Sequence, residues 1–138
     1  MVTTAVVMFG WYVNGLLSSE RDRINKQREI TTQYLIEAYR HIEIICVRDK
    51  YTPEMKQGFE TAIADIQLFG SVKQIELARK VVKEIEKASY SDPRYLLIEL
   101  RASLRSKLNL EPASTEPSDI MHFRIWDSLP EPKGKDSL

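Results

Sequence analysis

Apolar residues fill the start of the chain, and no charged side chain interrupts them. The run MVTTAVVMFGWYVNGLLSS ends where Glu20 supplies the first charge. As a helix, the part from Val2 to Leu17 is about 24 Å long, whereas the hydrocarbon core of a bilayer is about 30 Å thick. Local thinning of the bilayer covers such a deficit. The run therefore predicts a membrane-anchor helix over residues 1–19, with residues 2–17 in contact with lipid.

Two other interpretations of this run stay open. A cleaved signal peptide carries basic residues before its apolar stretch, and this run has none ahead of it. A buried core helix, or a hydrophobic contact between copies of the chain, has about the same modest length. The last interpretation predicts a homo-oligomer that assembles through the N-terminus.

Basic residues after the run indicate which side of the membrane the body occupies. Arg21, Arg23, Lys26 and Arg28 follow the run, and no Lys or Arg precedes it. Because basic flanks are retained in the cytoplasm, we expect a single-pass protein whose body faces that compartment. The only cysteine, Cys46, has no internal partner for a disulfide, and this fits a reducing environment.

Behind the run, apolar positions repeat at spacings of three and four residues in four segments, which predicts an all-α body. Residues 21–29 are polar on every side, as is typical of a solvated stalk. Short connections between the apolar faces predict a small antiparallel bundle over residues 20–110. The four expected helices cover about residues 19–48, 53–69, 72–88 and 93–108.

Local signals mark where these helices begin and end. Thr52-Pro53-Glu54 combines a capping residue, a proline suited to the first turn and an acidic residue at the positive helix end. Gly70 is expected to end the second helix in the left-handed conformation. Ser71 and Gln74 form a capping-box pattern for the third helix, and Asp92-Pro93 marks the start of the fourth.

Residues 111–138 have the composition of a flexible tail, because they hold four of the six prolines. One stretch within them, Ile-Met-His-Phe-Arg-Ile-Trp at residues 120–126, is too apolar for a simple linker. It predicts a short docking motif that packs on the bundle or on a partner, with a plain tether as the alternative.

Composition and charge exclude several classes of protein. The 138 residues are enough for one domain, and 20 basic residues balance 20 acidic ones, so a polybasic nucleic-acid binder is not expected. One cysteine and two histidines cannot complete a structural zinc site. The chain also has no phosphate-binding glycine loop and no nucleophile elbow. We therefore predict no enzymatic activity and no cofactor, and we assign no catalytic, cofactor-binding or metal-binding residue.

A few polar residues suggest a rival interpretation. Glu37 and His41 lie four residues apart, on one face of the first bundle helix. With Asp65 they define the alternative of a metal-binding or enzymatic bundle, although no second helix repeats a ligand motif. Glu60 and Asp65, five residues apart, point in different directions and do not form an acid–base dyad. Cys46 lies on an apolar stripe, where a cysteine is usually a small core residue.

Two runs resemble a group of small bacterial proteins of unknown function. They are Arg28–Arg40, REITTQYLIEAYR, and Ala64–Ser71, ADIQLFGS. The resemblance covers roughly residues 9–110, and it implies an N-terminal hydrophobic segment, a helical body and a disordered end. The resemblance supports the anchor and the bundle. From the uncharged opening, the basic residues after it and the absence of catalytic motifs, we expect a single-pass protein of the bacterial inner membrane whose bundle mediates protein–protein interaction or self-association. A soluble helical adaptor that oligomerises through its N-terminus is the alternative.

Overall fold

Helices account for nearly all of the regular structure in the computed structural model, which describes residues 2–47 and 50–121. They are α1 (Val2–Val47), α2 (Pro53–Phe69), α3 (Val72–Ala88) and α4 (Arg94–Lys107), and a 3₁₀ turn follows at Pro117–Asp119. Within these residues there is no β-strand. The all-α prediction is confirmed.

The first helix is much longer than the others. Its 46 residues span about 69 Å, and they join the apolar opening, the polar stalk and the first bundle helix without a break. The side chains of residues 3–30 are exposed, and the packed part of α1 begins at Thr31. Among the described helices, none is both long and apolar enough to cross a membrane.

The second half of α1 packs with the other helices as an antiparallel bundle. Tyr34 stacks on Phe69 with ring centroids 4.7 Å apart, whereas His41, further along α1, faces Gly58 near the start of α2. Lys73 Nζ lies 2.7 Å from a carboxylate oxygen of Glu99, which pairs the start of α3 with the middle of α4. Because α1 contacts α2 and α4, and α3 contacts the same two helices, the four form a closed ring. The helical bundle predicted from the sequence is confirmed.

Apolar side chains from every helix meet inside this ring. Fully buried leucine and isoleucine side chains each contribute roughly 1.5–3 kcal/mol through removal from water. The most deeply buried positions repeat at three- and four-residue spacings, as an amphipathic helix requires. They include Leu35, Ala38 and Ile42 of α1, Ala62 and Ile66 of α2, Ala78 of α3, and Leu96, Leu97 and Leu100 of α4.

The caps of α2 and α3 follow the sequence signals. Thr52 Oγ1 accepts a hydrogen bond of 3.2 Å from the Met55 amide. At the start of α3, the Ser71 amide donates to Gln74 Oε1 over 2.9 Å, and the Gln74 amide donates to Ser71 Oγ over 3.3 Å. The capping box is therefore present, and it satisfies two amides that have no partner within the helix.

The left-handed conformation expected for Gly70 is wrong. Its backbone is extended, with φ −76° and ψ 161°, because Ser71 already serves as the extended N-cap of α3. Glycine is required here for a different reason, since a Cβ atom would lie 2.5 Å from the carbonyl oxygen of Ile66. Among the described residues, those with left-handed backbone are Ser89 and Asn109, with φ of 54° and 55°, just after α3 and α4.

The first part of the predicted tail lies against α4. Arg105 Nε donates a 2.7 Å hydrogen bond to the Glu111 carbonyl, and Arg101 Nη2 donates a 2.6 Å bond to the Ser114 carbonyl. Ile120 is buried with the core residues. Of the predicted docking motif, residues 120–126, only the first two lie within the described part of the chain.

Candidate functional site

A groove opens at the end of the bundle where α1 and α3 finish and α2 and α4 begin. We call it the distal groove. Its volume is about 890 Å³, which is within the range of binding pockets in proteins. Helices α1, α2 and α3 supply apolar side chains to it, namely Ile45, Cys46, Phe59, Val81 and Ile85.

Tyrosines from two connections lie at the mouth of the groove. Tyr51 precedes α2 and is 46% exposed, and Tyr90 follows α3 and is 72% exposed. The left-handed Ser89 turns the chain just before Tyr90. Ser91 Oγ then donates a 2.7 Å hydrogen bond to Glu84, which ties this connection back to α3. Exposed aromatic side chains beside an apolar floor are typical of protein-interaction surfaces.

The charged residues around the groove balance one another. Arg94 holds the Asp92 carboxylate through both oxygens, with Nη2 to Oδ2 at 2.6 Å and Nε to Oδ1 at 2.8 Å. This hydrogen bonding raises the pKa of Arg94. Lys56 and Glu60 lie four residues apart on α2, and both line the groove. The groove therefore has no strong net charge, and its apolar floor is its main feature.

Cys46 lies in the groove, but its environment does not activate it. Burial is the largest effect and raises the pKa of this thiol to about 12, and the nearby carboxylates of Asp92 and Glu43 act in the same direction. Thiolates, rather than thiols, are the nucleophilic form. At neutral pH Cys46 is therefore a protonated, weakly polar part of the groove wall.

The residues of the rival metal or enzyme interpretation meet at the interface between α1 and α2. Partial burial raises the pKa of Asp65, the charge of Glu37 raises it further, and His41 lowers it. These three side chains are thus close enough to interact electrostatically. Across residues 2–47 and 50–121, however, no group of three His, Cys, Asp or Glu side chains is arranged to hold a metal ion. Glu60 lies apart from this cluster, at the distal groove.

The apolar opening of α1 is a second unusual surface, which we call the N-terminal segment, residues 2–17. The side chains of residues 3–17 are all exposed to solvent. Exposed apolar area on this scale is rare on proteins that work alone in water and marks a surface that another molecule covers. Examples are Phe9 at 70% exposed, Trp11 at 82%, Tyr12 at 67% and Leu17 at 55%.

The sequence did not predict the distal groove. Its lining comes from all four helices and from two connections, so no single stretch of sequence contains it. The one available signal was the presence of Tyr51 and Tyr90 in short connections, where polar residues are usual. No local pattern predicted the role of Arg101 and Arg105, which both hold carbonyl groups of the chain beyond α4.

Fold and site define a small helical bundle with a groove at one end and an exposed apolar helix at the other. Comparison with known proteins adds no relative, because no family model, no curated protein and no solved structure matches the chain. The resemblance to small bacterial proteins therefore stays a prediction. The functional argument depends on the two surfaces described above.

Proposed function

We propose that this chain is a small membrane-associated interaction protein. The N-terminal segment holds it at a lipid bilayer, and the bundle binds a protein partner or a second copy of the chain. The observation that carries this proposal is the continuity of α1, which joins an exposed apolar surface to a folded bundle through one uninterrupted helix. The proposed role is binding rather than catalysis, because the distal groove has an apolar floor with tyrosines at its mouth, as is typical of interaction surfaces.

The composition of the N-terminal segment supports contact with lipid. It contains no charged side chain, and its apolar side chains from residue 3 to residue 17 are exposed. Trp11 and Tyr12 are residue types that favour the boundary between lipid and water. Because the segment is about 24 Å long, we propose that it inserts where the bilayer is locally thin.

The remainder of α1 would hold the bundle away from the lipid. From Leu17 to Cys46 the helix extends about 43 Å, and its polar stalk, residues 21–29, is exposed. The distal groove therefore lies at the end of the bundle that is farthest from the N-terminal segment. The basic residues of the stalk favour a cytoplasmic position for the bundle at a bacterial inner membrane.

Membrane partition of a C-terminally tagged full-length chain tests the first half of this proposal. We expect the protein in the membrane pellet after carbonate extraction, with its tag protected from protease outside sealed cells. The double substitution Met8→Asp and Phe9→Asp, in the middle of the segment, should release it, because each charged side chain at the centre of a lipid-embedded helix costs about 2.5–3.5 kcal/mol. The matched control, Ile24→Asp with Ile30→Asp, adds the same charge within the stalk and directly after it, and should leave the protein in the pellet.

Recovery of the unmodified chain in the soluble fraction would overturn the membrane proposal. Self-association through the N-terminal segment is the second candidate, and the same exposed apolar side chains favour it. In that case light scattering should show an oligomer, and Met8→Asp with Phe9→Asp should reduce it to a smaller species. A soluble chain of unchanged size in both forms would contradict this candidate too.

A further inference from the structure

We propose that the chain's own segment 123–126, Phe-Arg-Ile-Trp, occupies the distal groove of the same molecule. These residues lie beyond the described part of the chain. This inference rests on the proposed function, in which the distal groove is an interaction surface. It adds that the chain's own tail occupies this surface when no partner is bound. Three observations carry it: the path of the chain beyond α4, the length available, and the chemistry of the groove.

The chain beyond α4 runs back along that helix toward the groove. Its first contact is at Arg105, which holds the carbonyl of Glu111, and its next is one turn earlier at Arg101, which holds the carbonyl of Ser114. Both arginines lie on one stripe of α4, because they are four residues apart. As residue numbers rise in the tail, they fall in α4, so the two run antiparallel.

The same stripe continues to the groove. Ile98 is the next residue on it and is only 8% exposed, and Ile120 of the tail is 5% exposed in the same apolar cluster. One turn further along is Arg94, which lines the distal groove. Met121, directly after Ile120, is 87% exposed, so the described part of the tail that packs on the bundle ends at Ile120.

The length of chain is sufficient to reach the floor of the groove. An extended strand rises about 3.3 Å per residue, so Phe123 reaches about 10 Å and Trp126 about 20 Å from Ile120. One turn of α4, from Ile98 to Arg94, is only about 6 Å. The segment therefore reaches the groove without any rearrangement of the bundle.

The chemistry of the segment matches that of the groove. Phe123, Ile125 and Trp126 are large apolar side chains that have a strong tendency to leave water. The groove has an apolar floor, an aromatic mouth and no strong net charge, so it neither repels nor specifically requires a charged ligand. A partner that uses the groove would therefore compete with the chain's own tail.

Fluorescence of Trp126 in the full-length chain tests the proposal. The substitution Trp11→Phe leaves Trp126 as the only tryptophan. We expect blue-shifted emission and weak quenching by acrylamide. Ile85→Asp, in the groove wall, should shift the emission to longer wavelength and raise the quenching constant several-fold. The matched control Val72→Asp, at the opposite end of α3 and 74% exposed, should change neither quantity.

A second measurement keeps the test valid if Ile85→Asp unfolds the bundle. Phe123→Asp, Ile125→Asp and Trp126→Asp together alter only the tail, and they should accelerate alkylation of Cys46 several-fold. Leu129→Asp with Leu138→Asp is the control in the same tail and should leave that rate unchanged. Solvent-exposed Trp126 with no change at Cys46 would overturn the proposal.

Protection of Trp126 that appears only as protein concentration rises would show docking between two copies, and it would overturn docking within one molecule. Neither readout depends on membrane partition. Failure of this inference is therefore distinguishable from failure of the membrane proposal.

Discussion

Because His41 packs against Gly58, we expect the substitution Gly58→Ala to destabilise the protein. Helix propensity alone predicts the opposite effect. Gly58 is buried in α2, and a Cβ atom there would lie 2.5 Å from His41 Nδ1 and 3.1 Å from Cε1. By propensity, Gly58→Ala in a helix interior should stabilise the protein by about 1 kcal/mol. Overpacking against the imidazole costs about 1–3 kcal/mol, so we expect a net loss of up to about 2 kcal/mol.

A double-mutant cycle separates the two contributions. In a His41→Ala background the obstructing ring is absent, and Gly58→Ala should then stabilise by about 1 kcal/mol. The effect of the same substitution therefore changes sign, and the coupling energy should be about 2 kcal/mol. Urea unfolding of the four full-length variants, followed by far-UV circular dichroism in one buffer and detergent, measures all of these free energies.

The reasoning is refuted if Gly58→Ala stabilises the protein equally in both backgrounds. That result would mean that the imidazole does not lie over Gly58, and that the two helices are further apart than the structure shows. A similar decrease in the free energy of unfolding in both backgrounds would instead mean that the added methyl group clashes with a residue other than His41.

Three further predictions concern the core and two ionisable groups. Leu97→Ala should lower the free energy of unfolding by about 2–5 kcal/mol, because Leu97 is fully buried, whereas Leu68→Ala, at a 76% exposed position, should change it by less than about 0.5 kcal/mol in urea titrations. The rate of Cys46 alkylation by iodoacetamide should keep rising with pH toward its pKa of about 12, and a plateau near the ordinary thiol pKa of about 8.5 would contradict this. The pKa of Asp65 is higher in the folded state than in the unfolded state. At pH values between the two, the folded protein holds a proton that the unfolded protein has lost, so the free energy of unfolding falls as pH rises through this range. Asp65→Asn should therefore be more stable than the unmodified chain at about pH 7, with a smaller difference at about pH 4, and an equal difference at both would contradict the assignment.

Local sequence signals were sufficient to place the helices. Capping residues and apolar spacing predicted α2 at 53–69 and α3 at 72–88, and the observed helices are Pro53–Phe69 and Val72–Ala88. These signals work because a cap and an amphipathic face depend on residues within one or two turns of each other. For the same reason the conformation of Gly70 was predicted incorrectly, since it depends on where the next helix begins.

The sequence by itself determined that the chain is helical, where its helices end and that its opening is apolar and uncharged, because each of these properties resides in neighbouring residues. Only the tertiary structure decided which side chains meet. It assembled the distal groove from Cys46, Phe59 and Ile85 of three different helices, and it brought Asp65 near Glu37 and His41. Such contacts join residues that are distant in sequence, and they follow from the way helices pack rather than from any local pattern.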